Sequence, residues 1–289
     1  MRGRIIKADS GFYYVFAEER IYETKLRGKT KKDQGIAYPG DIVSFTPVDT
    51  EKGVIDQIEQ RRNLMERPLV ANSDQILLVM SLSYPKLDFN VLDRLLVNVH
   101  RAGLDPVLLL NKCDEGDVGM EERIRKAYPI PILMVSAKTG IGIDELKALL
   151  KGKLSVLAGP SGVGKTSILN RLDSRLLEPT GSLGQKIQRG KHTTRSSHFY
   201  NIGDGLIADT PGFSRVDLPK DMRSEELPSL YPEYADLLAD CQFTSCSHQH
   251  EAICAVKSAV SEGLLDQERY QRYIYLLEEL KENDERRYK

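Results

Sequence analysis

Nowhere in the 289 residues does an apolar run approach the ~20 needed to cross a bilayer. The opening stretch, MRGRIIKADSGFYYV, has no uninterrupted apolar segment and no small-residue cleavage site, so no secretory signal is expected. Cysteines are few, at 4. With no export signal beside them, they point to metal binding or free thiols rather than disulfides. Internal repeats and low-complexity tracts are also missing, which excludes solenoid architectures. These absences imply a cytoplasmic chain with no membrane contact, long enough for two or three small domains.

The net charge of -1 hides an asymmetry. Lys+Arg minus Asp+Glu is +2 for residues 1–67, +3 for 68–218 and -6 for 219–289. Arg20 to Lys32 holds six basic residues against one acid, and Lys186 to Arg195 holds four basic residues and no acid. Either cluster reads as a solvated loop or as a nucleic-acid footprint.

Hydrophobic patterning divides the chain in three. Short β-prone runs at residues 4–7, 12–16, 21–27, 42–46 and 53–58, separated by turn residues, suggest an OB-type β-barrel over 1–66. Phe12, Tyr13, Tyr14 and Phe16 are candidate stacking faces for single-stranded nucleic acid, although alternation sends about half of a strand's side chains inward. The basic connection from Gly28 to Tyr38 is expected to be a mobile loop, and Arg61–Pro68 a hinge. Over 67–218, fully apolar runs (Ile76–Met80, Val107–Leu110, Ile132–Val135, Leu154–Ala158) alternate with helical spacing such as Leu92, Leu95, Leu96 and Val99. That is the signature of a parallel sheet in an α/β domain. Residues 219–289 read as mainly helical, with Tyr270, Tyr273, Ile274, Leu277 and Leu280 striping a final helix.

The chemistry-bearing motifs come in an inverted order. Asn111-Lys112-Cys113-Asp114 (N-K-x-D) and Ser136-Ala137-Lys138 precede Gly159-Pro160-Ser161-Gly162-Val163-Gly164-Lys165-Thr166, which in turn precedes Asp209-Thr210-Pro211-Gly212. An ordinary GTPase runs phosphate loop first and guanine-reading loop last. The G-x-x-x-x-G-K-[ST] loop follows an apolar strand and opens a helix, where its backbone N–H groups wrap phosphates. Lys165 is placed to reach the β- and γ-phosphates, and the Thr166 hydroxyl to ligate Mg2+. Asp114 would accept hydrogen bonds from guanine N1–H and the 2-amino group, which adenine does not offer; unpaired buried polar groups then make rejection of ATP strong. Asn111 supports that loop, the Lys112 stem covers the base, and a Ser136–Lys138 backbone N–H faces guanine O6. Asp209 is expected to hold Mg2+ through water, and the Gly212 N–H to sense the γ-phosphate. Thr193 or Thr194 would complete the Mg2+ shell. Phe213 stands where Ras-like enzymes carry a water-orienting Gln, so His192 becomes the candidate for positioning water.

Cys241, Cys246, His248 and Cys254 form C-x4-C-x-H-x5-C, the donor set of a tetrahedral structural zinc site. His250 competes with His248 for the nitrogen position. Cys113 is excluded, lying inside N-K-x-D.

The rotated motif order, the OB-like start and the Cys/His insert together resemble the RsgA family, circularly permuted bacterial GTPases acting on the small ribosomal subunit late in its assembly. The resemblance spans essentially the whole chain. It implies guanine contacts at Asn111–Asp114, phosphate contacts at Gly159–Ser167, zinc on Cys241, Cys246, His248 and Cys254, and a switch histidine at His192. It also implies a partner in small-subunit rRNA and weak GTP hydrolysis until the small subunit stimulates it, in a protein expected to be a monomer. Two readings from other classes stand beside it: a nucleotide-gated rRNA-binding regulator of mature ribosomes, and a P-loop ATPase or small-molecule kinase. Asp114 and the flanking modules speak against the last.

Overall fold

The computed structural model describes residues 1–66, 69–116, 118–173, 198–209 and 217–287. Strands β1 (Arg2–Asp9), β2 (Phe12–Ala17), β3 (Arg20–Leu26), β4 (Ile42–Pro47) and β5 (Lys52–Ile58) close into a barrel of order β1-β2-β3-β5-β4. Alternation along β2 sends Tyr13, Val15 and Ala17 into the barrel core with Ile5, Val43, Phe45 and Ile55. The outward Tyr14 and Phe16 pack against the core of the central domain instead of facing solvent. Of the four aromatics proposed as stacking faces, Phe12 alone lies outside both cores, with the Lys25 ammonium 4.4 Å from its ring centroid. The expectation of an aromatic platform is therefore corrected, because the outer wall of β2 is a domain interface.

The expected mobile loop is also corrected. Gly28–Gln34 forms a helix, α1. Its one buried side chain, Thr30, donates from Oγ1 to the Asp56 carbonyl at 2.6 Å. Gln34 exchanges two hydrogen bonds with the Ile58 backbone, at 3.1 and 2.8 Å. Lys29, Lys31 and Lys32 remain exposed. Two polar anchors toward β5 thus hold a segment whose composition reads as loop.

In place of a hinge there is a hairpin of β6 (Leu64–Glu66) and β7 (Leu69–Ala71). Arg61 forks onto the buried Asp41 carboxylate at 2.7 and 2.8 Å, and Asn63 exchanges hydrogen bonds with the Ser73 backbone. Such a bidentate arginine fixes orientation as well as distance. The junction is stitched.

The central sheet has order β10-β9-β8-β11-β13-β12, with β8 Gln75–Ser81, β9 Pro106–Asn111, β10 Ile132–Met134, β11 Leu154–Ala158, β12 His198–Ile202 and β13 Gly205–Asp209. All neighbours run parallel except the β12–β13 pair. Helices α2 (Phe89–Arg101), α3 (Val118–Ala127), α4 (Ile143–Leu150) and α5 (Lys165–Leu172) connect or follow the strands. Asp88 caps α2 by accepting from Asn90 N at 2.9 Å. Leu92, Leu95, Leu96 and Val99 bury the sheet-facing side of α2, as their spacing foretells. Each such residue contributes roughly 1.5–3 kcal/mol of transfer free energy.

The C-terminal part is three 3-10 turns (Ser224–Leu230, Pro232–Tyr234, Leu238–Asp240) followed by α6 (Ala255–Ser261) and α7 (Gln267–Arg287). Tyr273, Leu277 and Leu280 of the foreseen stripe are buried, and Tyr270 and Ile274 pack beside them. Val97 of α2 belongs to the same cluster, so α2 is covered on two sides.

Charge ties the two domains together. Asp93 on α2, fully buried, accepts from Arg269 Nη1 at 2.6 Å and from Arg272. Arg269 also meets Glu233 and lies over the Tyr128 ring, 4.2 Å from its centroid. Burial alone would lower the Arg269 pKa, but Asp93 and Glu233 carry it above the ordinary guanidinium value. Around this core Arg94 pairs with Glu279, Arg101 with Asp221 and Glu226, and Arg123 with Glu268. Four carboxylates of residues 219–289 (Asp221, Glu226, Glu268 and Glu279) thus answer arginines of α2 and α3. Asp93→Ala leaves the buried Arg269 and the half-buried Arg272 short of a carboxylate, and should cost about 3–5 kcal/mol in urea unfolding. A loss below about 1 kcal/mol would show that the cluster does not hold the domains.

Candidate nucleotide site and metal centre

Because β8, β9, β10, β11 and β13 are parallel, the loops after them gather at one edge of the sheet, the edge where open α/β sheets bind ligands. Asn111 ends β9 and is buried. Its Nδ2 donates to the Val163 carbonyl in the phosphate loop at 2.8 Å, and its Oδ1 accepts from Ala137 N at 3.3 Å. One side chain therefore joins N-K-x-D, S-A-K and the phosphate loop. Lys112 has a left-handed φ of 61° and donates from Nζ to the carbonyls of Gly162, at 3.1 Å, and Tyr84.

The phosphate loop runs from the end of β11 to the first turn of α5. Two glycines are there for space. A Cβ on Gly159, at φ 146°, would sit 2.2 Å from the Val79 carbonyl oxygen, and one on Gly164, at φ 98°, would sit 2.2 Å from Asn111 Nδ2. Between them Pro160, Ser161 and Gly162 lead to the buried Val163. Lys165 Nζ donates to the Gly159 and Pro160 carbonyls at 2.7 and 2.8 Å, which holds the ammonium inside the loop's curve. Burial pushes the Lys165 pKa down and the Asp209 carboxylate opposes that shift. Thr166 and Ser167 are exposed on the first turn of α5. Asp209 ends β13 opposite Leu157, so the carboxylate end of that strand lies beside the phosphate loop.

Ser136, buried, accepts from Thr139 N at 3.0 Å, shaping the turn that presents the Ala137 and Lys138 backbone. Lys138 Nζ lies 2.9 Å from Glu115 and 3.9 Å from Asp114. Of the residues singled out in the sequence, Asn111, Lys112, Asp114, Ser136–Lys138, Gly159–Ser167 and Asp209 converge on this edge. His192, Thr193, Thr194, Gly212 and Phe213 lie outside the described residues. The loop Leu82–Leu87 was not foreseen as part of the site, yet Tyr84 accepts from Lys112 and Pro85 lies against Gly162. Nothing in its composition marks it; only the adjacency of β8 to β9 and β11 brings it there.

The second constellation is the Cys/His cluster. One ligand atom from each of Cys241, Cys246, His248 and Cys254 lies within 4.8 Å of every other. His248 Nδ1 is 3.3 Å from Cys254 Sγ and 3.7 Å from Cys241 Sγ. With Zn–S near 2.3 Å and Zn–N near 2.0–2.1 Å, a tetrahedral site has edges of about 3.5–3.8 Å. The donor set therefore fits a zinc ion. His250 is exposed and outside the cluster, which leaves His248 as the nitrogen donor. Tyr270 and Tyr273 of α7 donate to the carbonyls of His248 and Ser247 at 2.7 and 2.8 Å, fastening the knuckle to the final helix. Burial pushes the Cys246 thiol up to about 12, and a bound cation would favour its thiolate form. Four protein donors would leave no open position on a bound zinc ion, the coordination of structural rather than catalytic sites.

Two family models match the chain, one described as RsgA GTPase over residues 57–219 and one as RsgA N-terminal domain over residues 2–55. The chain is 41% identical over 295 residues to the small ribosomal subunit biogenesis GTPase RsgA of Caldanaerobacter subterraneus, covering 100% of this chain and 99% of that protein. It is 40% identical over 291 residues to the protein of the same description from Streptococcus pneumoniae, covering 100% and 97%. Among solved structures, YjeQ from Thermotoga maritima superposes with a TM-score of 0.82 at 36% identity, covering 96% of this chain and 98% of that one. YloQ, described as a circularly permuted GTPase, superposes with a TM-score of 0.80 at 32% identity, covering 97% and 95%.

Proposed function

The chain belongs to the RsgA GTPase family, and from that premise we propose that it grips the small ribosomal subunit and hydrolyses GTP there in a subunit-stimulated way. It is a GTPase of ribosome biogenesis. Turnover to GDP and phosphate would assist late maturation of the subunit and release the protein from it. The observation that carries the reading is the Asn111 junction, which holds a guanine-reading loop against a phosphate loop. In this reading Asp114 selects guanine, Lys165 and the Gly159–Ser167 backbone hold the phosphates, and Thr166 and Asp209 serve Mg2+ with Thr193 or Thr194. His192 positions water and the Gly212 N–H senses the γ-phosphate.

The functional units are 1–66, an rRNA-binding barrel; 67–218, the permuted GTPase domain; and 219–289, the zinc-binding helical domain. The exposed lysines of α1 support the first assignment. Among the described residues no helix is long and apolar enough to cross a membrane. In this reading the protein works as a cytoplasmic monomer on ribosomal subunits. A regulator of mature ribosomes with incidental hydrolysis is not favoured, since the relatives are named for subunit biogenesis.

Phosphate release from GTP should rise at least tenfold when purified small subunits are added, and not with large subunits. An unchanged rate would rule out subunit-stimulated hydrolysis. The metal assignment is tested separately. Native mass spectrometry should find one zinc per chain, and Cys246→Ser or chelation should remove it together with helical signal and the protease resistance of residues 219–289. A metal-free protein with the same thermal transition would refute a structural zinc.

A further inference from the structure

Glu115 directly follows the guanine-reading carboxylate, and no motif includes it. It gathers three loops. Its Oε2 accepts from Ser83 Oγ, in the loop after β8, at 3.2 Å. Its Oε1 accepts from Lys138 Nζ, in the loop after β10, at 2.9 Å. Its own backbone N–H closes the N-K-x-D turn on the Lys112 carbonyl at 3.0 Å. The same Lys138 ammonium lies 3.9 Å from Asp114 Oδ2, beyond hydrogen-bond distance but within reach of a small side-chain rotation. The Lys138 side chain is 73% exposed, and among the described residues its ion pairs are with these two carboxylates.

Guanine presents two donors, N1–H and the 2-amino group, to the two oxygens of Asp114. An ammonium settled on Asp114 competes for those same lone pairs and cancels the charge that strengthens the bonds. The geometry points to Glu115 as a positioning residue for guanine recognition: it holds Lys138 off Asp114 and leaves both Asp114 oxygens free for the base. This rests on the assignment of Asp114 as the guanine reader. Glu115 touches neither substrate nor reacting atoms, and acts only through Lys138.

The test is a double-mutant cycle on GDP affinity in the full-length protein, with Glu115→Gln and Lys138→Met. The Gln amide keeps the length and the Ser83 contact while losing the charge. Glu115→Gln should weaken GDP binding about twofold to fivefold, the range of an exposed ion pair. The deficit should shrink between low and high salt, as screening loosens Lys138 from Asp114. In the Lys138→Met background the same Glu115 change should have no effect. An equal loss in both backgrounds would overturn the proposal, because Glu115 would then act through the Ser83 loop and not through Lys138. No loss in either background would overturn it too. Asp114→Asn separates the positioning role from the guanine assignment beneath it, since it should shift preference from guanine towards xanthine nucleotides. If that shift appears while the cycle shows no coupling, the proposal alone fails; if it does not appear, the assignment of Asp114 fails with it.

Discussion

Everything at the nucleotide edge depends on the two hydrogen bonds of Asn111. Its amide spans from the end of β9 to the phosphate loop on one side and to the Ala137 N–H on the other. A buried amide with both ends paired is costly to disturb, because each unpaired group keeps its full desolvation penalty. The N-K-x-D loop, the S-A-K turn and the glycine-rich loop after β11 are thereby tied to one another through a single side chain. Gly164 is a consequence of the same contact, since any side chain there would collide with the Asn111 amide.

Rotation of the chain order leaves this arrangement intact for a geometric reason. Parallel strands place all their outgoing loops at one edge, whatever order the chain visits them in. In this sheet β8 separates β9 from β11, so the loop after β8 leaves the sheet between the N-K-x-D loop and the glycine-rich loop. Rotation does change the neighbour of the Asp209 strand, because the acidic C-terminal domain comes next in the chain. That domain is docked on α2 through Asp93, Arg269 and Arg272. Any nucleotide-dependent reorientation of it must either break this buried cluster or carry α2 along.

The three-part organisation, the parallel sheet and the metal cluster were legible because each rests on a local rule: strand alternation, apolar runs, or donor spacing. The His248 and His250 alternatives needed the folded backbone, which turns one imidazole inward and leaves the other in solvent. Three expectations failed for one shared reason, that composition does not report partners distant in sequence. Tyr14 and Phe16 read as a binding face until the central domain is seen to cover them. Lys29, Lys31 and Lys32 read as loop until Thr30 and Gln34 are seen to anchor a helix on β5. The stretch from Arg61 reads as a hinge until Arg61 is seen to fork onto Asp41. The charge asymmetry has the same kind of explanation, since C-terminal carboxylates answer arginines more than a hundred positions upstream, as Asp221 and Glu226 do for Arg101.

If Asn111 makes base and phosphate recognition a single property, removing its amide must weaken both together. Calorimetric titration of GDP into an Asn111→Ala protein tests this most directly, with circular dichroism to confirm the fold. Losing the buried amide leaves the Val163 carbonyl and the Ala137 N–H unpaired, at roughly 1–3 kcal/mol each. The expected result is a fall in GDP affinity of at least about tenfold, with discrimination against ADP reduced in parallel. An affinity and a GDP preference that stay within about twofold of the unaltered protein would contradict it.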